Sequence, residues 1–295
     1  MDSKKLKVAI LGSGLIGTDL LIKILRSKYL DCTLFVGRNL QSSGMSKAVS
    51  LGVAVSDRSI EAIAENPKNF ELVFDATSAH FHQIHAPILK KLGIIAIDMT
   101  PAQVGGMCIP AVNLKECLDK DNVNMVTCGG QASTPIAYAI GQVHKDVDYI
   151  EVISTIASRS AGPATRANMD EYIETTEKAV KVFSGAKKTK AVLVLNPAQP
   201  CINMQTTVFA KISKPDMVAI NIAVDDIVKK MQKYVPGYSL VISPTYENNR
   251  VITMVRVQGA GDYLPSYAGN LDIINCAAIA TAEEYAKRKY GIQEY

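Results

Sequence analysis

The sequence contains no tryptophan, no block of like charges and no CxxC pair of cysteines in its 295 residues. Nucleic-acid binding is not indicated, because 32 basic and 28 acidic residues are spread along the chain and leave a net charge of +4. Six cysteines without a CxxC pair give neither a disulfide framework nor a zinc-binding pattern. We therefore expect free thiols in a reducing cytoplasm.

Long apolar runs are also missing. No stretch approaches the roughly 20 apolar residues that a membrane span needs, and the charged segment Met1–Lys7 lacks the apolar length of a signal peptide. These absences predict a cytoplasmic protein without a membrane segment. The composition, 48% hydrophobic and 20% charged, is typical of a globular protein with two domains or one large one.

Strand-like and helix-like segments alternate in the first 127 residues. The helix-like segments include Leu15–Ser27 and His82–Leu92. The strand-like runs are Lys7–Leu11, Thr33–Val36, Leu72–Ala76, Ile94–Asp98 and Asn124–Thr127. This alternation predicts a mainly parallel sheet covered by helices on both faces.

From about residue 149 the pattern changes to longer strands rich in Val, Ile and Thr. The predicted strands are Tyr149–Ser154, Ala191–Leu195, Thr206–Lys211, Leu240–Ser243 and Arg250–Val257, with helical patterns at about 168–184 and 221–234. This region favours an α+β domain, and one long helix follows from Asn270. Since no flexible linker separates the two regions, we expect their junction at Cys128 and the helix behind it.

The first predicted strand ends in a glycine-rich turn that opens a helix. Its spacing, GxGxxG between a strand and a helix, is the dinucleotide-binding fingerprint. Gly12 permits the tight turn, Gly14 admits a pyrophosphate and Gly17 allows close packing of helix and strand. The helix N-terminus attracts the phosphates. The predicted cofactor-binding residues are therefore Gly12, Ser13, Gly14, Leu15, Ile16, Gly17 and Thr18.

No carboxylate follows the second predicted strand, where sites specific for NAD place one roughly 20 residues after the glycines. The chain has Arg38 and Asn39 there, with Ser42 and Ser43 close behind. Arg38 and the serines could meet a 2′-phosphate, so the pattern fits NADP at least as well as NAD. The alternative is that Arg38 only stacks on the adenine or faces solvent.

Cys128 differs from the other five cysteines because two glycines and a helix-like segment containing Pro135 follow it. A helix N-terminus lowers the pKa of a thiol, and glycine backbone admits a developing oxyanion. The pattern favours a nucleophile at Cys128 over the alternative, a small buried residue that closes a strand.

Three of the four histidines, His80, His82 and His85, cluster after the predicted strand that ends at Asp75. His80 and His82 are too close in sequence to share one helix face, so we expect a loop-to-helix junction near the cofactor and no metal site. No histidine follows His144. A Cys–His pair would therefore need its histidine from the first part of the chain.

Long motifs carry a resemblance to a known family. They are FDATSAH at 74–80, IDMTPAQVGGMCIPAVNL at 97–114, NVNMVTCGGQASTP at 122–135, SAGPATRANMDEYIETT at 160–176 and YLPSYAGNLDI at 263–273. Together they resemble the acylating, CoA-dependent acetaldehyde dehydrogenases, the short type that works beside a 4-hydroxy-2-oxoacid aldolase. The resemblance covers nearly the whole chain.

This resemblance implies an α/β fold with an N-terminal Rossmann dinucleotide-binding domain and an α+β catalytic and dimerisation domain. The first would comprise residues 1–127 with 270–295, and the second residues 128–269. Cys128 matches the acyl-thioester cysteine, and Asn270 a cofactor-contacting asparagine. A second cofactor-binding segment is implied at Ser158, Arg159, Ser160, Ala161, Gly162, Pro163, Ala164, Thr165 and Arg166. The implied co-substrate is coenzyme A, and the implied partners are a second copy of the chain and an aldolase.

Two positions depart from the family pattern. Arg38-Asn39 replaces an acidic residue, and the segment resembling NPAEPPLIMRDT reads NPAQPCINMQTT at 196–207. Thr206 thus replaces an aspartate proposed to help activate the cysteine or CoA, and Gln205 replaces an arginine. A threonine cannot serve as a carboxylate base. Both residues are candidates for the substrate side, while the group that activates Cys128 and the acyl group stay open.

Three other interpretations stay open at this stage. The enzyme could act on a longer or specialised acyl thioester in a biosynthetic pathway. It could be a semialdehyde dehydrogenase acting on an acyl phosphate, although such enzymes resemble one another in using a histidine base from the second domain. It could also be a cofactor-binding scaffold in which Cys128 is structural.

Overall fold

The computed structural model describes residues 4–292 of the chain, which divide into two compact units. Unit 1 holds the residues up to Cys108, Asn113–Met125 and the chain from Asn275 onward. Unit 2 holds Ile109–Val112 and Val126–Ile274. Each unit has its own sheet.

Unit 1 is built on a parallel sheet with the strand order β3-β2-β1-β4-β5-β7-β6. Its strands are β1 Leu6–Leu11, β2 Leu30–Val36, β3 Val55–Ser56, β4 Leu72–Asp75, β5 Ile95–Asp98, β6 Gly106–Met107 and β7 Asn122–Asn124. The helices between them are α1 Leu15–Arg26, α2 Ser43–Ser50, α3 Glu61–Ala64, α4 Ala79–Lys91 and α5 Pro110–Cys117. This strand order is that of a dinucleotide-binding fold, in which ligands bind beyond the carboxyl ends of the central strands.

The central strands of unit 1 are apolar along their length because helices cover both faces of the sheet. All four residues of β4 are buried. All residues of β1 are buried except Lys7. Ser78 starts α4, since its side chain accepts the Phe81 N–H at 3.4 Å. Helices α1 and α4 therefore begin just beyond the carboxyl ends of β1 and β4, at the same edge of the sheet.

Unit 2 carries a mixed sheet with the strand order β11-β12-β10-β8-β9, in which only the β8–β9 pair is parallel. The strands are β8 Tyr149–Ala157, β9 Lys188–Asn196, β10 Met204–Lys211, β11 Tyr238–Glu247 and β12 Arg250–Val257. The helices are α6 Cys128–Val143, α7 Pro163–Ala167, α8 Met169–Ser184, α9 Met217–Gln232 and α10 Gly269–Tyr290, whose later part belongs to unit 1. Helices α8 and α9 and strand β10 all pack against α6.

The predicted fold class, a Rossmann unit followed by an α+β unit, is confirmed by these two sheets. One predicted boundary is wrong: the strand expected at Asn124–Thr127 is β7, Asn122–Asn124, and Cys128 begins a helix instead of closing a strand. Val126 has a φ of +61°, in the left-handed region, which ends the extended chain. Within residues 4–292, no helix combines the length and the apolar character that a membrane crossing needs.

Gly141 provides a test of how closely α6 packs on α8. A Cβ atom at this position would lie 2.1 Å from the carbonyl oxygen of Ser184, the last residue of α8. We expect Gly141→Ala to lower the free energy of unfolding by about 1–3 kcal/mol, because the two helices must move apart. Urea denaturation measures the loss. The control is Gly162→Ala, whose Cβ would meet nothing within 4 Å; equal stability of both variants would contradict the packing.

Candidate active site

The glycine-rich turn between β1 and α1 is closed at two glycines and open at the third. A Cβ atom on Gly12, whose φ is +110°, would lie 2.5 Å from the carbonyl oxygen of Ala76. A Cβ atom on Gly17 would lie 1.8 Å from the carbonyl oxygen of Gly12. At Gly14 a Cβ would meet no atom within 4 Å, and no side chain caps the start of α1 among the described residues. An open turn with uncapped N–H groups is what a phosphate site requires.

The other predicted residues of this turn have separate roles. Thr18 is buried, and its hydroxyl donates to the carbonyl oxygen of Gly14 at 2.8 Å. The carbonyl oxygen of Ile16 accepts the Asn275 Nδ2 at 3.2 Å. Leu15 is exposed, and the Ser13 Oγ lies 3.3 Å from the Ser42 Oγ. These contacts fix the turn to α10 and to the loop after β2.

The loop after β2 contains Arg38, which is exposed. The Arg38 Cζ lies 5.5 Å from the centroid of the Phe81 ring, a cation–π arrangement that orients the guanidinium. Ser42 caps α2, accepting the Met45 N–H at 3.4 Å, and Ser43 is the first residue of that helix. This loop therefore offers a cation, hydroxyls and a helix N-terminus.

A buried network of carboxylates and imidazoles follows β4. The Asp75 Oδ2 lies 2.9 Å from the His82 Nδ1 and 2.8 Å from the His85 Nδ1. The Asp75 Oδ1 accepts the Thr77 N–H at 3.1 Å. This bond fixes the backbone of Ala76 and Thr77, which lies next to Gly12. The sequence pattern missed this network, although the i, i+3 spacing of His82 and His85 on α4 could have revealed their shared face. No group of three His, Cys, Asp or Glu side chains in the described chain could hold a metal ion.

Charge in this network is set by mutual hydrogen bonding. Burial opposes ionisation of Asp75, but hydrogen bonds from His82 and His85 hold the pKa of its carboxyl well below its usual range. Burial also disfavours the charged form of His82, yet Asp75 and Asp98 raise the pKa of that imidazole. Burial raises the pKa of Asp98 to about 6. Unit 1 thus buries an ionised Asp75 beside a His82 that favours the imidazolium form.

Asn122 completes the His82 environment. Its Nδ2 lies 3.0 Å from the His82 Nε2, while its Oδ1 is buried without a hydrogen-bond partner in the described residues. Rotating the amide by half a turn would place its oxygen against Nε2. An imidazolium, which donates from both nitrogens, would then satisfy Asp75 and Asn122 together.

Cys128 lies in unit 2 as the first residue of α6. The Thr127 Oγ1 accepts the Gly130 N–H at 2.8 Å and caps this helix. The Cys128 Sγ lies 3.6 Å from the Tyr172 Oη, on α8, and the thiol is about nine-tenths buried, with 9% of the residue exposed. A Cβ atom on Gly129 would lie 2.1 Å from the same Tyr172 oxygen. The first glycine after Cys128 is thus required by the tyrosine hydroxyl.

The thiol pKa differs from the prediction made for a helix N-terminus. Burial raises the pKa of Cys128 above its usual value, although the Tyr172 hydroxyl and the N–H groups of Gly129 and Cys128 act to lower it. The expectation of a lowered pKa is therefore wrong for this structure, because desolvation outweighs the backbone groups at the start of α6. The groups in the structure that favour the thiolate of Cys128 are the Tyr172 hydroxyl and these two N–H groups.

Thr206 lies in the same buried cluster, and Gln205 does not. The Thr206 Oγ1 is 3.0 Å from the Ser154 Oγ, and both residues are buried. Ser154 in turn hydrogen-bonds Tyr172. Gln205 precedes Thr206 on β10, so its side chain points to the opposite face of the sheet. The sequence pattern did not identify Tyr172 or Ser154, since neither lies near Cys128 along the chain.

The second predicted cofactor segment forms a folded loop. The Arg166 Nη2 donates to the carbonyl and hydroxyl oxygens of Ser158, each at 3.0 Å, and its Nε donates to the Ala161 carbonyl at 3.1 Å. Arg159 and Pro163 are exposed, Gly162 and Thr165 are half-buried, and the side chain of Ala164 lies outside the described part of the structure. The exposed Arg166 side chain therefore links the end of this segment to its beginning at Ser158 and Ala161.

Asn270 joins this loop to α10. Its Nδ2 donates to the Ser160 carbonyl at 3.3 Å, so the structure brings together two sites predicted separately. The Asn270 Oδ1 is buried and has no hydrogen-bond partner in residues 4–292. A buried acceptor without a partner is costly unless a ligand supplies a donor.

The chain is similar to known proteins in sequence and in fold. The family model "Prokaryotic acetaldehyde dehydrogenase, dimerisation" matches residues 128–265. A curated relative named acetaldehyde dehydrogenase from Spirochaeta aurantia is 62% identical over 287 residues, which is 97% of each chain. A relative of the same name from Pectobacterium atrosepticum is 60% identical, and the alignment covers 98% of each chain. Another from Carboxydothermus hydrogenoformans is 50% identical, and the alignment covers 97% of this chain and 95% of the relative.

Two solved structures share the fold at low sequence identity. Aspartate semialdehyde dehydrogenase with NADP from Candida albicans has a TM-score of 0.66 and 12% identity, covering 98% of this chain and 100% of that one. Aspartate semialdehyde dehydrogenase II complexed with ASA from Vibrio cholerae has a TM-score of 0.59 and 13% identity, covering 99% and 100%. At such identity the similarity concerns the fold alone.

The His82 network predicts how stability depends on pH. A group whose pKa is higher in the folded state than in the unfolded state stabilises the fold. This stabilisation is complete below the pKa of the unfolded state, and it is lost as the pH rises through the pKa of the folded state. The Asp98 contribution is therefore lost between about 4 and about 6, and the His82 contribution above about 6.5. The melting temperature of unit 1 should fall as the pH rises past 6.5, as measured by the pH dependence of thermal unfolding.

His82→Asn should flatten this decline above pH 6.5, because it removes the imidazole whose pKa the fold raises. The matched control is His80→Asn, which removes an exposed imidazole from the same helix and should leave the slope unchanged. An identical decline in the wild type and in His82→Asn would contradict a folded-state imidazolium.

Proposed function

Because the chain belongs to the acetaldehyde dehydrogenase family and is therefore an oxidoreductase, we propose that it interconverts a short-chain aldehyde and an acyl-CoA through a thioester on Cys128. The observation that carries the thioester mechanism is the place of Cys128, first in α6 and beside the Tyr172 hydroxyl. A sulfur at a helix start with hydrogen-bond donors around it is stabilised once it ionises. Acetaldehyde is the proposed aldehyde.

The proposed reaction has two covalent stages on Cys128. Its ionised sulfur adds to the aldehyde carbon, and the carbonyl π electrons move to oxygen, which forms the alkoxide of a thiohemiacetal. The nicotinamide cofactor, when bound, supplies the hydride acceptor for oxidation of that carbon, which leaves a thioester on Cys128. The thiolate of CoA then adds to the thioester carbonyl, the bond to the Cys128 sulfur breaks, and acyl-CoA leaves. Covalent capture divides one difficult step into two easier ones.

The chain's own residues have three tasks in this mechanism. The N–H groups of Cys128 and Gly129 hydrogen-bond the sulfur, favouring its ionised form. Thr127 holds the Gly130 N–H and so fixes the direction of the first turn of α6. Burial of the cluster excludes water, which would otherwise hydrolyse the thioester.

Each unit separately contains candidate residues for binding the nicotinamide cofactor. In unit 1 the open turn at Gly14 and the uncapped start of α1 would take the pyrophosphate. In unit 2 the loop at 158–166 and the buried Asn270 Oδ1 would take a donor group of the cofactor. An orphaned buried acceptor and a glycine with free space around its Cβ position support this assignment.

CoA is a better fit than an acyl phosphate as the acyl carrier. The alternative enzyme would need a histidine base, and unit 2 contains only His144. The His144 Nε2 accepts the Asp216 N–H at 2.9 Å and follows the last residue of α6. Cys128 lies at the opposite end of this 16-residue helix, about 24 Å away at 1.5 Å per residue. His144 therefore cannot act on the Cys128 sulfur.

A homodimer is proposed from the match of residues 128–265 to a dimerisation domain. In unit 2 the face of the sheet opposite α6 carries half-buried apolar side chains, among them Ile153, Phe209, Ile252 and Met254. A half-exposed apolar face of this kind is typical of a subunit interface. An aldolase that supplies the aldehyde is the proposed partner enzyme.

Cys128→Ser tests the thioester. The variant should lose CoA-dependent turnover roughly a thousandfold or more, because serine is a much weaker nucleophile at neutral pH. Cofactor binding, followed by fluorescence titration, should be unchanged. Cys201→Ser, which alters a half-buried cysteine of the same unit, serves as the control and should retain activity.

Unchanged turnover in Cys128→Ser would overturn the mechanism, and cofactor binding by a wild type without any turnover would indicate a scaffold. The same assay with acetyl-CoA and longer acyl-CoAs decides the alternative substrate. Thr206 and Ser154 leave the cluster uncharged, which also suits a longer acyl chain. A clear preference for a longer chain would identify an enzyme of specialised thioesters.

We also propose that the site accepts the 2′-phosphate of NADP at Arg38. Arg38→Ala should lower kcat/KM for NADP about ten- to hundredfold, since a charge-assisted hydrogen bond is lost. It should leave kcat/KM for NAD within about twofold. Arg58→Ala, an exposed arginine paired with Glu65 in the same unit, is the control. A strong wild-type preference for NAD would reject this proposal.

A further inference from the structure

We propose that Tyr172 donates a hydrogen bond to the Cys128 thiolate and thereby activates this cysteine, a role that rests on the thioester mechanism above. The Tyr172 Oη lies 3.6 Å from the Cys128 Sγ, within the range of a sulfur hydrogen bond. Tyr172 reaches this position from α8, where it is buried. It is the side-chain hydroxyl in direct contact with the sulfur.

Among the described residues, no charged side chain contributes to the pKa shift of Cys128. Besides burial, the groups that shift the pKa of the thiol are the Tyr172 hydroxyl and the N–H groups of Gly129 and Cys128, and all of them are neutral. The strands packed at this point contribute Ser154 from β8 and Thr206 from β10, which are neutral as well. Stabilisation of the thiolate therefore depends on hydrogen-bond donors alone.

The hydroxyl groups form a chain that ends at the sulfur. The Thr206 Oγ1 lies 3.0 Å from the Ser154 Oγ, and Ser154 hydrogen-bonds Tyr172. The Ser154 hydroxyl and the Gly129 N–H both favour the anionic form of Tyr172, so both act as donors to its oxygen. Once Cys128 is ionised and no longer donates, these two donors occupy the lone pairs of the Tyr172 oxygen, so Tyr172 directs its own hydrogen to the sulfur, and Thr206 donates to Ser154. Each donor polarises the next one.

Tyr172 acts as a donor and not as a base. Burial holds the pKa of this phenol well above its usual value, so it keeps its proton at neutral pH. In the resting enzyme the thiol donates to the Tyr172 oxygen. When the thiol loses its proton to bulk solvent at its exposed edge, which is 9% of the residue, the phenol O–H rotates toward the sulfur. The proton of Tyr172 is not transferred at any point.

The backbone around Cys128 is shaped for this contact. A Cβ atom on Gly129 would lie 2.1 Å from the Tyr172 Oη and 3.0 Å from the Ser154 Oγ. Glycine therefore allows both hydroxyls to reach the start of α6. A phenylalanine at 172 would preserve the packed ring and lose the donor, which makes the substitution a clean test.

The test is the pH dependence of Cys128 alkylation by iodoacetamide, followed by mass spectrometry of the Cys128 peptide in the full-length protein. Loss of a hydrogen bond to a charged group should raise the thiol pKa in Tyr172→Phe by about one to two units, so alkylation at neutral pH slows roughly ten- to hundredfold. Tyr238→Phe is the matched control, because this buried hydroxyl donates at 2.7 Å to the Ala132 carbonyl of the same helix. Its alkylation profile should equal that of the wild type.

Ser154→Ala provides a second variant that keeps the tyrosine in place. It removes a donor to the Tyr172 oxygen and should raise the thiol pKa in the same direction by a smaller amount. An alkylation profile unchanged from the wild type in either variant would overturn the proposal. Should Tyr172→Phe fail to fold, the Ser154→Ala profile decides alone.

Alkylation needs neither CoA, aldehyde nor cofactor, so its result is separate from that of the turnover assays. A shifted profile in a protein without CoA-dependent turnover would support the role of Tyr172 and reject the proposed reaction. An unshifted profile in an active enzyme would do the reverse.

Discussion

The hydrogen bond from the Gly130 N–H to the Thr127 Oγ1, 2.8 Å long, fixes the start of α6, and unit 2 depends on that helix. Val126 enters it with a φ of +61°, a conformation that costs a β-branched residue free energy. The surrounding packing repays this cost, because most of α6 is buried between α8, α9 and β10. The strained turn and the buried helix together hold Cys128 against Tyr172.

The two units bury polar groups by opposite means. Unit 1 places carboxylates and imidazoles beside the glycine-rich turn, where mutual hydrogen bonds keep Asp75 ionised. Unit 2 surrounds its cysteine with hydroxyls and backbone N–H groups that carry no charge. A fixed ion pair suits a rigid binding loop, whereas neutral dipoles can favour an anion that exists for only part of a reaction cycle.

The sequence predicted the parts of the fold that follow local rules. The glycine turn, the alternation of strands and helices and the α8 helix at 169–184 were all visible as patterns, and the family resemblance is confirmed by relatives of up to 62% identity among those compared. The contact of Cys128 with Tyr172 was not visible, because it depends on how α6 and α8 pack. The thiol pKa was predicted in the wrong direction for the same reason: burial is a tertiary property.

The fit of Gly129 against the Tyr172 hydroxyl links two positions that are far apart in the sequence. A side chain at 129 would meet the Tyr172 hydroxyl first, so it is accommodated more easily when residue 172 lacks that hydroxyl. Substitutions at these two sites are therefore expected to arise as a pair. A library that varies residue 129 would have to vary both codons together.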